Sequence, residues 1–264
     1  IDYSNDTATA SVRGPLSTTR TLHAATGNAS FGYFGGKGGP SLSPSSTVDR
    51  IDYSNDTGTA LVRGPLSTIR RYHMATGNSN FGYFAGGILA PPGSVSTVDR
   101  IDYSNDTATA SPKGLLSVIR SEAGATGNAN FGYFGGGGTP GKASSVDRID
   151  YSNDTAVAAV KGPLSFARDE TVATGNASFG YFGGGGYPGP ISTVDRIDYS
   201  NDTATASVRG PLSSARYKLA ATGNSSSGYF GGGKSPSNTF SKIDRIDYSN
   251  DTATAVAKGP LSSS

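Results

Sequence analysis

Cysteine and tryptophan are absent from the 264 residues, and methionine occurs once. Without cysteine there are no disulfides, no thiolate metal sites and no cysteine nucleophile. No run of 18 apolar residues is present, so nothing reads as a membrane-spanning helix. Charge of one sign is not in excess either. The 22 Lys and Arg face 20 Asp and Glu with the signs interspersed, a net charge of +2. That balance excludes the concentrated basic face of a nucleic-acid or membrane-surface binder. Hydrophobic residues make up only 34%, too few for a single deep core of Leu and Ile. What the chain has instead is 38 Gly and 14 Pro, with abundant Ser, Thr, Asn and Asp. All of these are poor mid-helix residues, so the composition argues against a helix-rich domain.

The phrase Ile-Asp-Tyr-Ser-Asn-Asp-Thr begins at Ile1, Ile51, Ile101, Ile149, Ile197 and Ile246, a mean period of 49 residues. The chain is one domain of repeats, and a period near 50 is that of a propeller blade. The first residues already lie inside a repeat, where no signal peptide or tag is visible.

Each unit parses into four short strands, placed in the first full unit at 23–26, 31–34, 47–53 and 57–62. Gly, Asn, Asp and Pro punctuate them at the spacing of an all-β fold. The Gly27-Asn28 step predicts a type I′ hairpin turn with positive φ. The Asp of Ser-Asn-Asp-Thr is expected to close an Asx turn. Arg50 and Asp52, two apart on a strand, share a face and predict an ion-pair ladder between blades. The doubled and quadrupled glycines, as at Gly135–Gly138, lack the Gly-Lys-Ser/Thr ending of a phosphate loop and predict positive φ after a strand.

The order of these phrases resembles the kelch repeat. An aromatic strand ends in Gly-Gly, Val-Asp-Arg-Ile-Asp-Tyr follows, and Gly-Pro-Leu-Ser-x-x-Arg closes the unit. The likeness recurs in all five complete units. One departure is that the fourth-strand Trp usual in kelch repeats is replaced by Ala10, Ala60, Ala110, Ala158, Ala206 and Ala255, which implies lighter outer packing. The resemblance implies a β-propeller of four-stranded blades running from a central channel outward. Five complete repeats plus one outer half-blade give 22 strands. That count favours a six-bladed ring whose inner pair comes from another segment, or an excerpt of a longer array, with a five-bladed ring as the alternative. An open blade edge invites strand addition by another structural protein chain. The wording Asp-Arg-Ile-Asp-Tyr-Ser-Asn-Asp-Thr-Ala-Thr-Ala also resembles kelch-like repeat proteins of marine bacteriophages of the cyanophage and pelagiphage type.

Most chemistry-bearing residues belong to the repeated phrases. Of the acidic residues only Glu122, Asp169 and Glu170 lie outside them, and of the tyrosines only Tyr72, Tyr187 and Tyr217. His23 and His73 take the same place in adjacent units. No asymmetric constellation for catalysis stands out, and a calcium reading of Asp-x-x-Asn-Asp is weak because carboxylates do not alternate. No metal and no cofactor is expected. A copper-radical oxidase on a kelch-like fold would need a cysteine. Ser54-Asn55-Asp56-Thr57-Gly58 echoes the repeated box of a sialidase, Ser-x-Asp-x-Gly-x-Thr-Trp, but its Thr-Trp ending is missing.

Variation between units concentrates in the loops 37–46, 88–96, 138–143, 186–191 and 234–241, and just after Arg20, Arg70, Arg120, Arg168 and Arg216. Connections in an antiparallel blade alternate between faces, so these stretches share one face. The resemblance to kelch domains implies that the five arginines ring the channel mouth and meet acidic ligands. With His23, His73, Tyr72, Tyr187 and Tyr217 they form the expected partner-binding set. The sequence therefore points to a non-enzymatic structural or recognition module, and the resemblance to phage proteins implies a place on a virion appendage or tail structure, or in an extracellular setting. It would contact a host surface, a glycan or another protein, with no nucleic acid and no membrane insertion. The alternative is a secreted carbohydrate-acting or carbohydrate-binding propeller.

Overall fold

The computed structural model describes residues 1–39, 42–89, 93–138, 141–186 and 188–263. Among them, five four-stranded antiparallel sheets form the blades of a β-propeller. Blade one comprises Ala24–Gly27, Phe31–Gly39, Leu42–Asp52 and Leu61–Arg63. Blade two comprises Met74–Gly77, Phe81–Ala85, Val98–Asp102 and Ser111–Pro112. Blade three is built from Gly124–Gly127, Phe131–Gly135, Val146–Asp150 and Ala159–Lys161. Blade four has Val172–Gly175, Phe179–Gly183, Val194–Asp198 and Ser207–Arg209, and blade five Tyr217–Gly223, Ser227–Lys234, Ile243–Asp247 and Val256–Lys258. The fourth strands are two or three residues long and carry Arg or Lys in four blades and Pro112 in blade two, all of which blunt an outer edge against pairing with other sheets.

Side-chain alternation explains the phrase Phe-Gly-Tyr-Phe-Gly. In blade three Tyr133 pairs with Arg148 across the second and third strands, and Phe134 with Asp147. Successive residues point to opposite faces. Tyr133 therefore meets blade four, while Phe134 packs with Tyr83 and Ala85 of blade two. Gly135 leaves room for Phe182 of blade four, whose ring would lie 2.8 Å from an added Cβ. Each blade thus presents a ring on one face and a glycine or alanine hollow on the other. Four apolar clusters among the described residues, such as Tyr133, Val146, Leu164, Phe182, Ile197 and Ala206, mark the four joints between consecutive blades. Burying one such Phe or Ile contributes on the order of 1.5–3 kcal/mol.

A polar latch accompanies each apolar joint. Tyr133 Oη donates to Asp202 Oδ2 at 2.9 Å, and Arg148 Nη1 reaches the same oxygen at 2.7 Å. Lys161 Nζ sits 3.2 Å from the other oxygen, and Tyr133 stacks on Tyr199 with centroids 4.7 Å apart. The ladder between blades exists, but Asp52 and Asp56 exchange the expected roles. Asp52 and its equivalents accept from the backbone N and Oγ of Ser two residues on, capping a short 3-10 turn. The Asp of Ser-Asn-Asp-Thr is the inter-blade acceptor. The Gly-Asn turn also differs from expectation, because neither Gly27 nor Asn28 has positive φ. Asn28 Oδ1 closes the turn by accepting from Ser30 N and Phe31 N. The glycine pairs after the second strand do adopt positive φ, as at Gly136 (74°) and Gly137 (96°).

Residues 1–14 form no strand, although an outer strand pair was expected there; 20 strands make up the blades. The segment nevertheless docks as its counterparts do in other units. Asp6 accepts from Tyr229 and Arg245 and sits 3.1 Å from Lys258, all of blade five. Gly14 N donates to Asp56 O of blade one at 2.7 Å. The half-unit therefore stands between the fifth and first blades.

Latch protonation should be visible in acid. Burial raises the carboxyl of Asp202, but the bonds from Tyr133, Lys161 and Arg148 outweigh it and hold the group below its ordinary 3.8. A folded pKa below the unfolded one contributes stability that is present above the unfolded value and lost as pH falls through the folded one. Asp202→Asn is expected to flatten the acid limb of the Tm–pH profile below about pH 4. An unchanged limb would show that this latch is not linked to protonation.

Candidate functional site

Variable residues gather where the channel opens on one face. The residue two past each unit's closing arginine has left-handed backbone: Leu22 (φ 57°), Tyr72 (56°), Glu122 (59°), Glu170 (50°) and Lys218 (57°). These are the five non-glycine residues with positive φ among the described residues. Such a conformation costs on the order of 1–3 kcal/mol per residue and persists only where the surroundings fix it. Here backbone bonds do so. Tyr72 N donates to Leu22 O, and Glu122 N to Tyr72 O, both at 2.9 Å, linking one blade to the next around the mouth. Below them the glycine pairs accept close backbone packing, with Gly87 N bonded to Arg120 O at 2.8 Å.

The result is one backbone geometry repeated five times with five side chains of differing chemistry. A cleft on the blade three to five side is lined by Glu122, Lys142, Asp169, Glu170, Tyr217 and Lys218. Residues after the closing arginines and residues of the second-to-third-strand loops meet there, so the two variable classes do share a face. Lys218 Nζ lies 3.0 Å from Glu170 Oε1, and Lys142 Nζ contacts Asp169 Oδ2. Burial and then the neighbouring Glu170 raise the Glu122 carboxyl. Burial lowers the Lys218 ammonium, but the bond to Glu170 outweighs it and leaves the group raised. The cleft thus offers donors and acceptors of both signs beside an aromatic ring and, among the described residues, no nucleophile held by a base. The channel itself, a cavity of about 650 Å³, is walled by inner-strand residues such as Ala24, Met74, Gly124, Val172 and Ala221.

The five arginines do not ring this mouth. Arg70, Arg120, Arg168 and Arg216 are wholly buried and Arg20 nearly so. Each lies against a buried aspartate of its own unit: Asp49, Asp99, Asp147, Asp195 and Asp244 at 2.7–3.4 Å. Arg120 Nη1 also donates to the carbonyls of Phe134, Gly136 and Ser145. Their charge is consumed inside each blade, which overturns the expected positive ring. His73 is buried too, and burial followed by the nearby Arg70 pushes it down to about 3. His23 is half-buried beside the channel, lowered by burial and by Arg20. Tyr72 and Tyr217 do reach the mouth face; Tyr187 lies outside the described residues, as do parts of the variable loops. Sequence reasoning missed Leu22, Lys142 and Lys218. The signal was available, since all three fall in stretches that differ between otherwise near-identical units.

Among the described residues no three His, Cys, Asp or Glu side chains come together as metal ligands, and no helix is long and apolar enough to cross a membrane. No protein-family model and no curated protein matches the chain.

Proposed function

We propose that this propeller is a non-enzymatic recognition module of kelch-like type, carried on a virion appendage, that holds a surface glycan at its channel mouth. The observation that carries the reading is the ring of five left-handed positions bearing Leu, Tyr, Glu, Glu and Lys. A framework that repeats its latches almost unchanged while varying those side chains separates scaffold from recognition surface. The repeat order supports the kelch assignment, and the repeated Asp-Arg-Ile-Asp-Tyr-Ser-Asn-Asp-Thr supports the phage setting. The cleft chemistry supports a hydroxylated ligand, because two ion pairs and Glu122 beside Tyr217 offer hydrogen-bond donors and acceptors with little net charge.

The test is binding to a glycan array and to isolated bacterial surface polysaccharide. Glu170→Gln and Lys218→Ala are each expected to weaken binding by about tenfold, the effect of losing one charge-assisted hydrogen bond. Leu61→Ser on the outer edge should leave binding unchanged. Failure to bind any glycan, or equal binding by all variants, sinks the proposal. Release of reducing sugar from the bound polysaccharide would instead favour a carbohydrate-acting propeller.

A further inference from the structure

Between blades five and one the ring is held at its rim by residues 1–14 but is not packed at its centre. The first strands of consecutive blades lie against one another from blade one to blade five, whereas none of the four apolar clusters joins blade five to blade one. Comparison with the four closed joints shows what this groove is shaped to receive.

On the blade one wall, Tyr53 is 52% exposed, and Phe34 and Ile51 are half-buried, although Phe84, Phe134, Phe182 and Phe230 are fully covered. At the closed joints the tyrosine after Ile-Asp has a hydroxyl beside a threonine of the preceding blade, as Tyr199 has with Thr126 at 3.1 Å. Tyr53 has no such threonine among the described residues. Among the described residues the Asp56 side chain meets only Arg13, at 3.3 Å, and it is 40% exposed against 8–9% for the other latch aspartates, which hold a tyrosine and an arginine as well. On the blade five wall, an added Cβ at Gly231 would meet Ile243 at 3.6 Å and Leu261 at 4.0 Å and no phenylalanine ring, whereas Gly35, Gly135 and Gly183 each face a Phe of the following blade. Asn224 likewise reaches no carbonyl across the joint among the described residues, although Asn28, Asn78, Asn128 and Asn176 all do.

From these open contacts we infer that the groove is a docking site for a β-hairpin of the repeat's own type, Thr-Gly-Asn-x-x-Phe-Gly-Tyr-Phe. Its Thr would bond Tyr53, its Tyr would donate to Asp56, its second Phe would fill the Gly231 hollow, and its backbone after the Asn turn would receive Asn224. No other ligand class answers all four, since they demand a threonine, a phenol, a ring and a carbonyl at strand spacing. This partner surface is distinct from the variable mouth and does not depend on its glycan.

A synthetic peptide with the sequence of residues 171–185, which contains a complete inner hairpin, tests the site. Titration calorimetry should show saturable one-to-one uptake, and the intact protein's Tm should rise by about 5 °C or more at saturation. Asp56→Ala should weaken uptake about tenfold. An isolated peptide must order itself on binding, so a second protein carries a copy of residues 171–196 joined ahead of Ile1. Its Tm should also rise, and Tyr53 should become inaccessible to nitration. Indifference of both to Asp56→Ala, uptake of a scrambled peptide equal to the native one, or no change in Tm with either partner overturns the inference. A dimer of the unmodified chain that excludes the peptide overturns it as well, by assigning the groove to a second copy.

Discussion

Asp147→Ala is expected to destabilise the propeller by about 3–5 kcal/mol, the cost of removing one partner from a buried ion pair. Asp147 is fully buried 3.4 Å from Arg120, and it accepts from Ser117 N at 2.9 Å and Ser117 Oγ at 2.6 Å. Truncation leaves a guanidinium in the blade interior with only carbonyls and the Ser145 hydroxyl to face, together with an unsatisfied serine amide. Urea denaturation reads the loss directly. The double variant Arg120→Met with Asp147→Leu should recover much of it, because removing both charges also removes their desolvation. Disrupting the partly exposed pair Lys218–Glu170 should cost about 1 kcal/mol or less. A loss below about 1 kcal/mol for Asp147→Ala would show that water reaches the site and that the pair does not hold the blade.

The same pair explains two repeated phrases that sequence reasoning treated separately. The Ser of Pro-Leu-Ser bonds the Asp of Val-Asp-Arg (Ile-Asp-Arg in the fifth blade) about 30 residues later, as Ser67 does with Asp99 and Ser213 with Asp244. The arginine three residues after that Ser then folds onto the same Asp. A closing arginine once per unit is compatible with a surface ring or with a buried pair, and spacing alone does not separate them. Charge matching was the available clue, since each unit supplies one closing Arg for one Asp of Val-Asp-Arg. Period, strand order and the sharing of one face by the variable stretches were legible, because turn chemistry and alternation act locally. The exchange of roles between Asp52 and Asp56 was not. Both follow a strand and both suit a turn, and only the position of the next blade decides which carboxylate crosses the joint. Leu22, Tyr72, Glu122, Glu170 and Lys218 share no residue type that announces left-handed backbone. Their conformation is imposed by packing between blades and so could not be read from the residues themselves.

Gly162→Ala is expected to be nearly as damaging, at about 3 kcal/mol, the upper part of the range for overpacking. Its φ lies outside the left-handed region, so the restriction is one of space rather than backbone conformation. An added Cβ would lie 1.9 Å from Ala204 O and 2.4 Å from Ala204 C, both backbone atoms of the next unit that cannot turn away. The segment that would have to retreat carries Asp202, whose carbonyl accepts from Gly162 N and whose carboxylate holds Tyr133 and Arg148. It also carries Ala206, whose amide donates to Pro163 O. One methyl group therefore opposes the apolar joint, the latch and two backbone bonds together. Gly141→Ala, with nothing within 4 Å, should change stability by less than about 0.5 kcal/mol. Gly259 makes the matching approach to Ala8 O at 2.0 Å, but there it faces only the half-unit at residues 1–14. Gly259→Ala should accordingly leave the five blades nearly as stable as before while exposing that segment to proteolysis. Limited digestion that cuts near residue 10 in Gly259→Ala, and not in the parent chain, would separate docking of the half-unit from stability of the blades. Equal losses of global stability from Gly162→Ala and Gly259→Ala would mean instead that the half-unit is as integral to the ring as any complete blade.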